Sequence, residues 1–186
     1  MLPSEIIDCL ELNPVIAAIR DDGWNAALHS PAQVLFYLSA DLTTVGTRIK
    51  QAHDAGKILL IHMDLAEGIG KDRAGIRYLA QHSVDGIIST KAQLIRTAKE
   101  MGLLTVQRFF ALDSKGMESI DEMLRTSTPH LIEIMPGVIG KAIRRFCDCG
   151  IPVIAGGLIE TKAEVTEAIS CGAAAVSTGK ENLWYL

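Results

Sequence analysis

The chain has 186 residues, with 18 lysine and arginine side chains against 22 aspartate and glutamate side chains, a formal net charge of −4. This balance argues against a protein that binds nucleic acid over its whole surface, but it is compatible with a local basic patch. The composition, 48% hydrophobic and 22% charged, is that of an ordinary globular protein, and no apolar run approaches the roughly 20 residues of a membrane span.

The N-terminal residues and the cysteines show no feature beyond those of an ordinary globular protein. The N-terminal residues carry neither a basic segment nor a long apolar segment, so we expect no signal peptide, no membrane contact and a cytoplasmic location. Cys9, Cys147, Cys149 and Cys171 fit no zinc-binding spacing and are expected to be reduced thiols. No linker or low-complexity tract divides the sequence, which predicts one domain over residues 1–186.

Short apolar runs recur along the chain, with 18 to 28 residues from the start of one run to the start of the next. Most are nearly continuous in apolar residues, as expected for parallel strands that are buried on both faces. Eight such strands are predicted, at residues 15–20, 33–39, 58–64, 86–90, 104–111, 131–136, 152–156 and 174–178.

Helical spacing fills the segments between these runs, and strand–helix alternation repeated eight times favours a closed (β/α)8 TIM-type barrel over an open sheet. The barrel must be compact, because typical examples have about 250 residues. The link after the first strand leaves room for a short helix, and residues 180–186 leave room for only a truncated last helix. The clearest predicted helices, each ending at a glycine, are 43–56, 91–102 and 162–172.

The truncated last helix would leave apolar surface uncovered on the neighbouring elements. Trp184, Tyr185 and Leu186 follow the last strand. These side chains either cover that surface within the chain or leave it for a second subunit of a homodimer.

The ends of the last two strands predict a phosphate-binding pocket. Gly156 and Gly157 end the seventh strand, and Ser177, Thr178 and Gly179 end the eighth. Glycine allows a phosphate to approach the backbone N–H groups closely, and barrels often bind phosphate after strands 7 and 8. The alternative interpretation is that small residues at these positions only permit tight turns.

A histidine and a carboxylate end the third strand. His62 and Asp64 are two residues apart, so on a strand they would share one face. Such a pair could act as acid and base, or could hold a hydroxylated ligand by hydrogen bonds. The alternative is that one of them caps the following loop, and the dispersed carboxylates predict no metal site.

Three further charged residues lie at predicted strand ends or within strands. Glu133 interrupts an apolar strand and needs a partner, for which Arg108 on the preceding strand is the candidate. The two either form a structural ion pair or contact a ligand, with Glu133 accepting from a hydroxyl and Arg108 facing an anion. Arg20, after the first strand, is a second candidate for an anion contact.

The basic residues form three small groups. Lys141, Arg144 and Arg145 have the spacing of one helix face and are the candidate group for binding a nucleic acid such as RNA. Each group taken alone is typical of a solvated surface. The other two groups are Lys71, Arg73 and Arg77, followed by Lys91, Arg96 and Lys99.

Seven runs at or near the strand ends have a distinctive sequence: IAAIRDD, HMDLAEGIGKD, DGIISTK, QRFFALDS, EIMPG, PVIAGGLI and AVSTGKENLW. With these runs the sequence resembles the glycerol uptake operon antiterminator family from about residue 6 to residue 184. The resemblance implies a barrel that binds the effector glycerol 3-phosphate, without a cofactor, and acts on the leader mRNA of glycerol-utilisation genes.

Without the resemblance, the residues at the strand ends are also compatible with a second class of function, an enzyme. A small isomerase, epimerase or aldolase that acts on a phosphorylated sugar or polyol would also use a phosphate site at the ends of barrel strands. The predicted strands show no clearly inward lysine for a Schiff base. The resemblance therefore favours a metabolite-sensing regulator, not an enzyme.

Overall fold

The computed structural model describes residues 3–186, which form alternating strands and helices. The strands are β1 (Val15–Ile19), β2 (Val34–Tyr37), β3 (Ile58–His62), β4 (Gly86–Ser89), β5 (Leu104–Phe110), β6 (Leu131–Met135), β7 (Val153–Gly156) and β8 (Ala175–Thr178). The helices are α1 (Pro3–Leu12), α2 (Trp24–His29), α3 (Val45–Asp54), α4 (Arg73–Gln81), α5 (Ala92–Glu100), α6 (Ser114–Ser127), α7 (Gly140–Cys147) and α8 (Lys162–Ser170). Short 3₁₀ helices cover Asp21–Gly23 and Glu181–Tyr185.

The eight strands close into a parallel barrel in sequence order, with β8 paired to β1. The predicted (β/α)8 barrel is therefore confirmed. All eight predicted strands exist, with ends that differ by at most two residues. The three predicted helices also exist, as α3, α5 and α8.

Side chains alternate between the barrel interior and the layer under the helices, as the strand period of two requires. On β5, Leu104 and Val106 pack inside the barrel. Phe109, of the opposite parity, belongs to the larger core between the barrel and its helices. Arg108 continues the interior series towards the carboxyl end of the strand, which is where barrel sites are built.

Helix α1 is an element that the strand pattern does not predict. Ile6 and Leu10, one turn apart on this helix, are almost completely buried and pack with apolar side chains of the barrel interior. Since α1 precedes β1, it closes the amino-terminal end of the barrel. Within the described residues, the interior therefore opens at its carboxyl end.

The segment after β8 is short, as predicted, and ends in the 3₁₀ helix. Trp184 is 2% exposed and its indole N–H donates to the carbonyl oxygen of Thr178 at 2.9 Å. It covers the neighbouring surface within the chain, whereas Tyr185 and Leu186 remain about half exposed. No helix in the described part of the chain is long and apolar enough to span a membrane.

Candidate ligand-binding site

A cavity of about 630 Å³ opens at the carboxyl end of the barrel. It lies among the ends of β1, β6, β7 and β8, and its volume is within the range of small-molecule sites. Most of the residues that we singled out in the sequence lie on its wall. They are Arg20, Arg108, Glu133, Gly157, Ser177, Thr178 and Gly179.

An ion pair with a hydroxyl partner crosses the floor of this cavity. Nε of Arg108 donates to Oε2 of Glu133 at 2.5 Å, and the hydroxyl of Ser177 donates to Oε1 of Glu133 at 2.5 Å. The Glu133 side chain is 1% exposed and the Arg108 side chain 10%. The predicted structural ion pair therefore exists, and both of its members also face the cavity.

Gly156 has a structural reason to be glycine. A Cβ atom at this position would collide with Oε1 of Glu133 and lie 2.8 Å from the hydroxyl oxygen of Ser177. Gly156 does not line the cavity with the other predicted phosphate residues. Its small size makes room for the buried carboxylate.

The loop after β7 brings backbone to the cavity wall. Gly157 and Leu158 both have positive φ angles, +75° and +61°, which are accessible to glycine and strained for leucine. The Leu158 side chain is 66% exposed at the rim. Gly157 can therefore contact a ligand only through its backbone.

Thr178 lies on the wall but its hydroxyl is already engaged. The hydroxyl donates to the carbonyl oxygen of Ile159 at 2.7 Å and accepts from the backbone N–H of Lys180 at 3.1 Å. The bond to Ile159 joins the loops that follow β7 and β8, and the bond from Lys180 orders the loop after β8. Because the hydroxyl of Ser177 also donates to Glu133, neither predicted hydroxyl is an uncommitted donor.

Basic side chains reach the cavity from two further loops. Arg20, directly after β1, is exposed at the rim. Lys180 also lines the cavity and pairs with Glu160 at 3.1 Å. The sequence analysis missed Lys180 as a wall residue, although its position beside Gly179 at the end of β8 was a usable signal.

His62 ends β3 and is 3% exposed, with its Nδ1 atom lacking a hydrogen-bond partner among the described residues. Burial lowers the pKa of His62 to about 4, and the positive charge of Arg108 acts in the same direction. The ring is therefore neutral near pH 7. His62 is not part of the cavity wall.

The prediction that Asp64 shares a strand face with His62 is wrong, because β3 ends at His62. The Asp64 carboxylate accepts from the hydroxyl of Ser89 at 2.7 Å, and from the N–H and hydroxyl of Thr90 at 2.7 and 2.8 Å. Burial would raise the pKa of Asp64, but these hydrogen bonds outweigh it and the pKa is lowered. Asp64 is the residue that caps a loop, here the one between β4 and α5.

The basic residues of α7 do not form one free face. Arg145 pairs with Asp121 of α6 at 2.7 Å, and Arg144 donates to Sγ of Cys171 at 2.8 Å on the side of α8. Lys141 is exposed. The two arginines therefore diverge towards different neighbouring helices, and helical spacing alone could not reveal their partners.

Comparison with known proteins identifies close relatives over nearly the whole chain. The chain is 34% identical over 184 residues to the uncharacterized protein YgcP of Escherichia coli strain K12, covering 97% of this chain and 96% of that protein. The glycerol uptake operon antiterminator regulatory protein of Listeria monocytogenes has a similar structure, with a TM-score of 0.88 and 32% identity over 92% of this chain and 95% of that one. An antiterminator-related protein from Thermotoga maritima gives a TM-score of 0.83 and 34% identity over 91% and 96% of the two chains.

More distant structures share only the fold. Deoxyribose phosphate aldolase from Aeropyrum pernix gives a TM-score of 0.68 at 12% identity, over 97% of this chain and 89% of that one. Similarity at this level of identity shows a shared fold and not a shared activity. The model of the family described as glycerol-3-phosphate responsive antiterminator, by contrast, matches residues 15–184. The chain therefore belongs to the glycerol-3-phosphate responsive antiterminator family.

Proposed function

We propose that the chain binds glycerol 3-phosphate in the cavity at the barrel mouth, and that the liganded protein binds the leader mRNA of glycerol-utilisation genes and prevents premature termination. The observation that carries this proposal is the cavity itself. It combines the cations Arg20 and Arg108 with the glycine-bearing ends of β7 and β8, on a fold whose phosphate sites are usually found there.

The phosphate is assigned to the backbone of Gly157 and Gly179, with Arg20 as its charged partner. Glycine at both positions permits close approach, and hydrogen bonds to a charged phosphate are each worth about 1.5–3 kcal/mol. We assign no direct role to the hydroxyls of Ser177 and Thr178, which are already bonded within the protein.

The glycerol hydroxyls are assigned to the floor of the cavity. Glu133 accepts hydrogen bonds there, and Arg108 stands beside it. The charge of Arg108 lowers the pKa of His62 at the same end of the barrel, but His62 does not line the cavity. We therefore assign it no contact with the glycerol hydroxyls.

Sensing requires that glycerol 3-phosphate bind one conformation better than another, because a ligand with equal affinity for both shifts no population. The loops after β7 and β8 are the candidates for this change. They are joined by the hydroxyl of Thr178 and border the cavity. Ligand contacts on both loops would stabilise one arrangement of that junction.

The enzyme alternative receives less support. None of the eight strands contains a lysine, so no strand supplies the amine of a Schiff-base aldolase. His62 and Asp64 do not form the acid–base pair that this alternative used, because the carboxylate is bound to the loop after β4. The antiterminator family also suggests a regulator rather than an enzyme.

The test is calorimetric titration with glycerol 3-phosphate, followed by binding of leader RNA with and without the effector. Gly157→Asp places a carboxylate at the assigned phosphate and should weaken glycerol 3-phosphate binding about a hundredfold or more. The matched control is Gly56→Asp, because Gly56 has a φ of +70° and no atom within 4 Å of an added Cβ. It carries the same charge and a similar backbone strain at the other end of the barrel.

Unchanged affinity in Gly157→Asp, or equal losses in both variants, would contradict the assigned site. Leader RNA that binds under no condition, together with turnover of a sugar phosphate, would contradict the regulator.

A further inference from the structure

Helices α4 and α5 bring two of the three basic groups of the sequence onto one surface. The two helices contact each other on the outside of the barrel, and packed helices lie about 8–10 Å apart. We call this the α4–α5 surface and define it by Lys71, Arg77, Lys91, Arg96 and Lys99. Groups that are separate along the chain thus become one patch.

The patch is unusual in this acidic chain. Residues 71–100 contain six basic and three acidic side chains. The rest of the chain therefore has twelve basic and nineteen acidic side chains. On an acidic protein, a local excess of positive charge attracts a polyanion to that patch and not to the rest of the surface.

The three acidic residues of this segment are all engaged. Asp72 caps α4 by accepting from the N–H of Gly75, and Asp85 accepts from the backbone N–H of Leu59. Glu100 pairs with Arg73 at 3.1 Å. These carboxylates therefore leave the central cations of the patch unneutralised.

Arg77, Lys91 and Arg96 are exposed, and within residues 3–186 their side-chain nitrogens take part in no hydrogen bond or ion pair. On the side facing the barrel, α4 and α5 pack through buried residues such as Ile76 and Ile95, so the cations lie on the solvent side. The three cations are thus presented to solvent by rigid elements. On α7, by contrast, Arg144 and Arg145 bind neighbouring side chains.

The patch begins at the mouth of the barrel. Lys91 directly follows Thr90, whose N–H and hydroxyl bind Asp64. Nζ of Lys71 donates to the carbonyl oxygen of Ala66, in the loop that also carries Asp64. Burial lowers the pKa of Lys71, and the charge of nearby Lys91 contributes in the same direction.

We infer that the α4–α5 surface binds the phosphate backbone of the leader RNA, and that α7 does not. This inference rests on the proposed function, since it names the surface that the RNA would occupy. The free cations supply sequence-independent contacts to phosphates, which position an RNA without reading its bases.

The test compares two triple variants with the same change in net charge. One is Arg77→Ala/Lys91→Ala/Arg96→Ala. The control is Lys115→Ala/Arg125→Ala/Lys162→Ala, which removes three exposed cations from α6 and α8. Leader RNA binding is measured with saturating glycerol 3-phosphate over a series of salt concentrations, and effector binding is measured separately.

The α4–α5 variant should lose about tenfold or more in RNA affinity, and its slope of log K against log salt should fall by about 2, since each phosphate contact of a single strand contributes about 0.7. The control should bind RNA nearly as well as the unmodified chain, and all three proteins should bind glycerol 3-phosphate equally. If the α4–α5 variant keeps its affinity and slope, or the control loses as much, this surface is not the RNA site. The proposed function would stand in either case, because the result that contradicts it is an unmodified chain that binds no leader RNA under any condition and turns over a sugar phosphate.

Discussion

The two ends of the barrel interior are built by the same eight strands but filled by different chemistry. At the amino end, apolar side chains such as Phe36 and Leu60 pack against Ile6 and Leu10 of α1. At the carboxyl end, the interior series continues into the polar residues Arg108 and Glu133, which line an open cavity instead of packing under a helix of the described chain. The strand pattern that makes one end a closed core therefore makes the other end a site.

The two ends therefore contribute differently to the stability of the fold: the closed end stabilises it, and the buried polar groups of the open end do so much less. Burial of apolar surface at the closed end is favourable without any directional partner. At the open end, Arg108 and Glu133 are withdrawn from water and depend on each other and on Ser177. A buried pair of this kind contributes little net stability, but losing one partner is costly.

The largest effect is expected from Glu133→Ala, which leaves Arg108 without its carboxylate. Breaking a buried pair costs about 3–5 kcal/mol, so the free energy of unfolding in urea should fall by that amount. The exposed pair between Arg73 and Glu100 provides the control, and Arg73→Ala should cost less than about 1 kcal/mol. Similar losses in the two variants would show that the Arg108–Glu133 pair behaves as a solvated one.

A smaller loss is expected from Leu10→Ala at the closed end. Leu10 is 1% exposed, and truncating a buried leucine costs about 2–4 kcal/mol through lost burial and the cavity left behind. Glycerol 3-phosphate affinity should not change, because α1 lies at the opposite end from the cavity. Leu12→Ala, on the same helix but 81% exposed, should change unfolding by less than about 0.5 kcal/mol. If Leu10→Ala costs no more than Leu12→Ala, α1 does not close the barrel.

The smallest expected effect is the contribution of His62 to the pH dependence of the free energy of unfolding. Its pKa is about 4 in the folded chain and 6.5 when unfolded, so below pH 6.5 the unfolded chain binds more protons. Stability is therefore lost as the pH falls, by about 1.5 kcal/mol between pH 6.5 and pH 5.

His62→Gln isolates this contribution. Burial also lowers the pKa of His130, so the unmodified chain has a second histidine with the same sign. Unfolding measured from pH 7 to pH 5 should vary less steeply in His62→Gln than in the unmodified chain. Equal slopes would mean that His62 becomes protonated inside the folded barrel as readily as in water.

The order of strands and helices along the chain could be predicted because each element has a local sequence pattern. Each strand is an apolar run such as residues 58–62, and a glycine such as Gly102 lies two residues after the end of each of the clearest helices. The cavity wall could be predicted too, since the ends of parallel strands meet at one end of a barrel. Helix α1 was missed although Ile6 and Leu10 have helical spacing, because nothing in that spacing says what the helix covers.

Local patterns are enough to predict the eight strand–helix units and the residues at the strand ends, because hydrogen bonding and hydrophobic periodicity act over a few neighbouring residues. Which of those residues meet depends on how the barrel closes. Glu133 joins Arg108 and Ser177 from positions 25 and 44 residues away, and Asp64 turns to a loop 25 residues further on. The α4–α5 surface arises in the same way, from two helices that become neighbours only when the barrel closes. Such contacts depend on the register of strands that are distant in the chain, which no local pattern encodes.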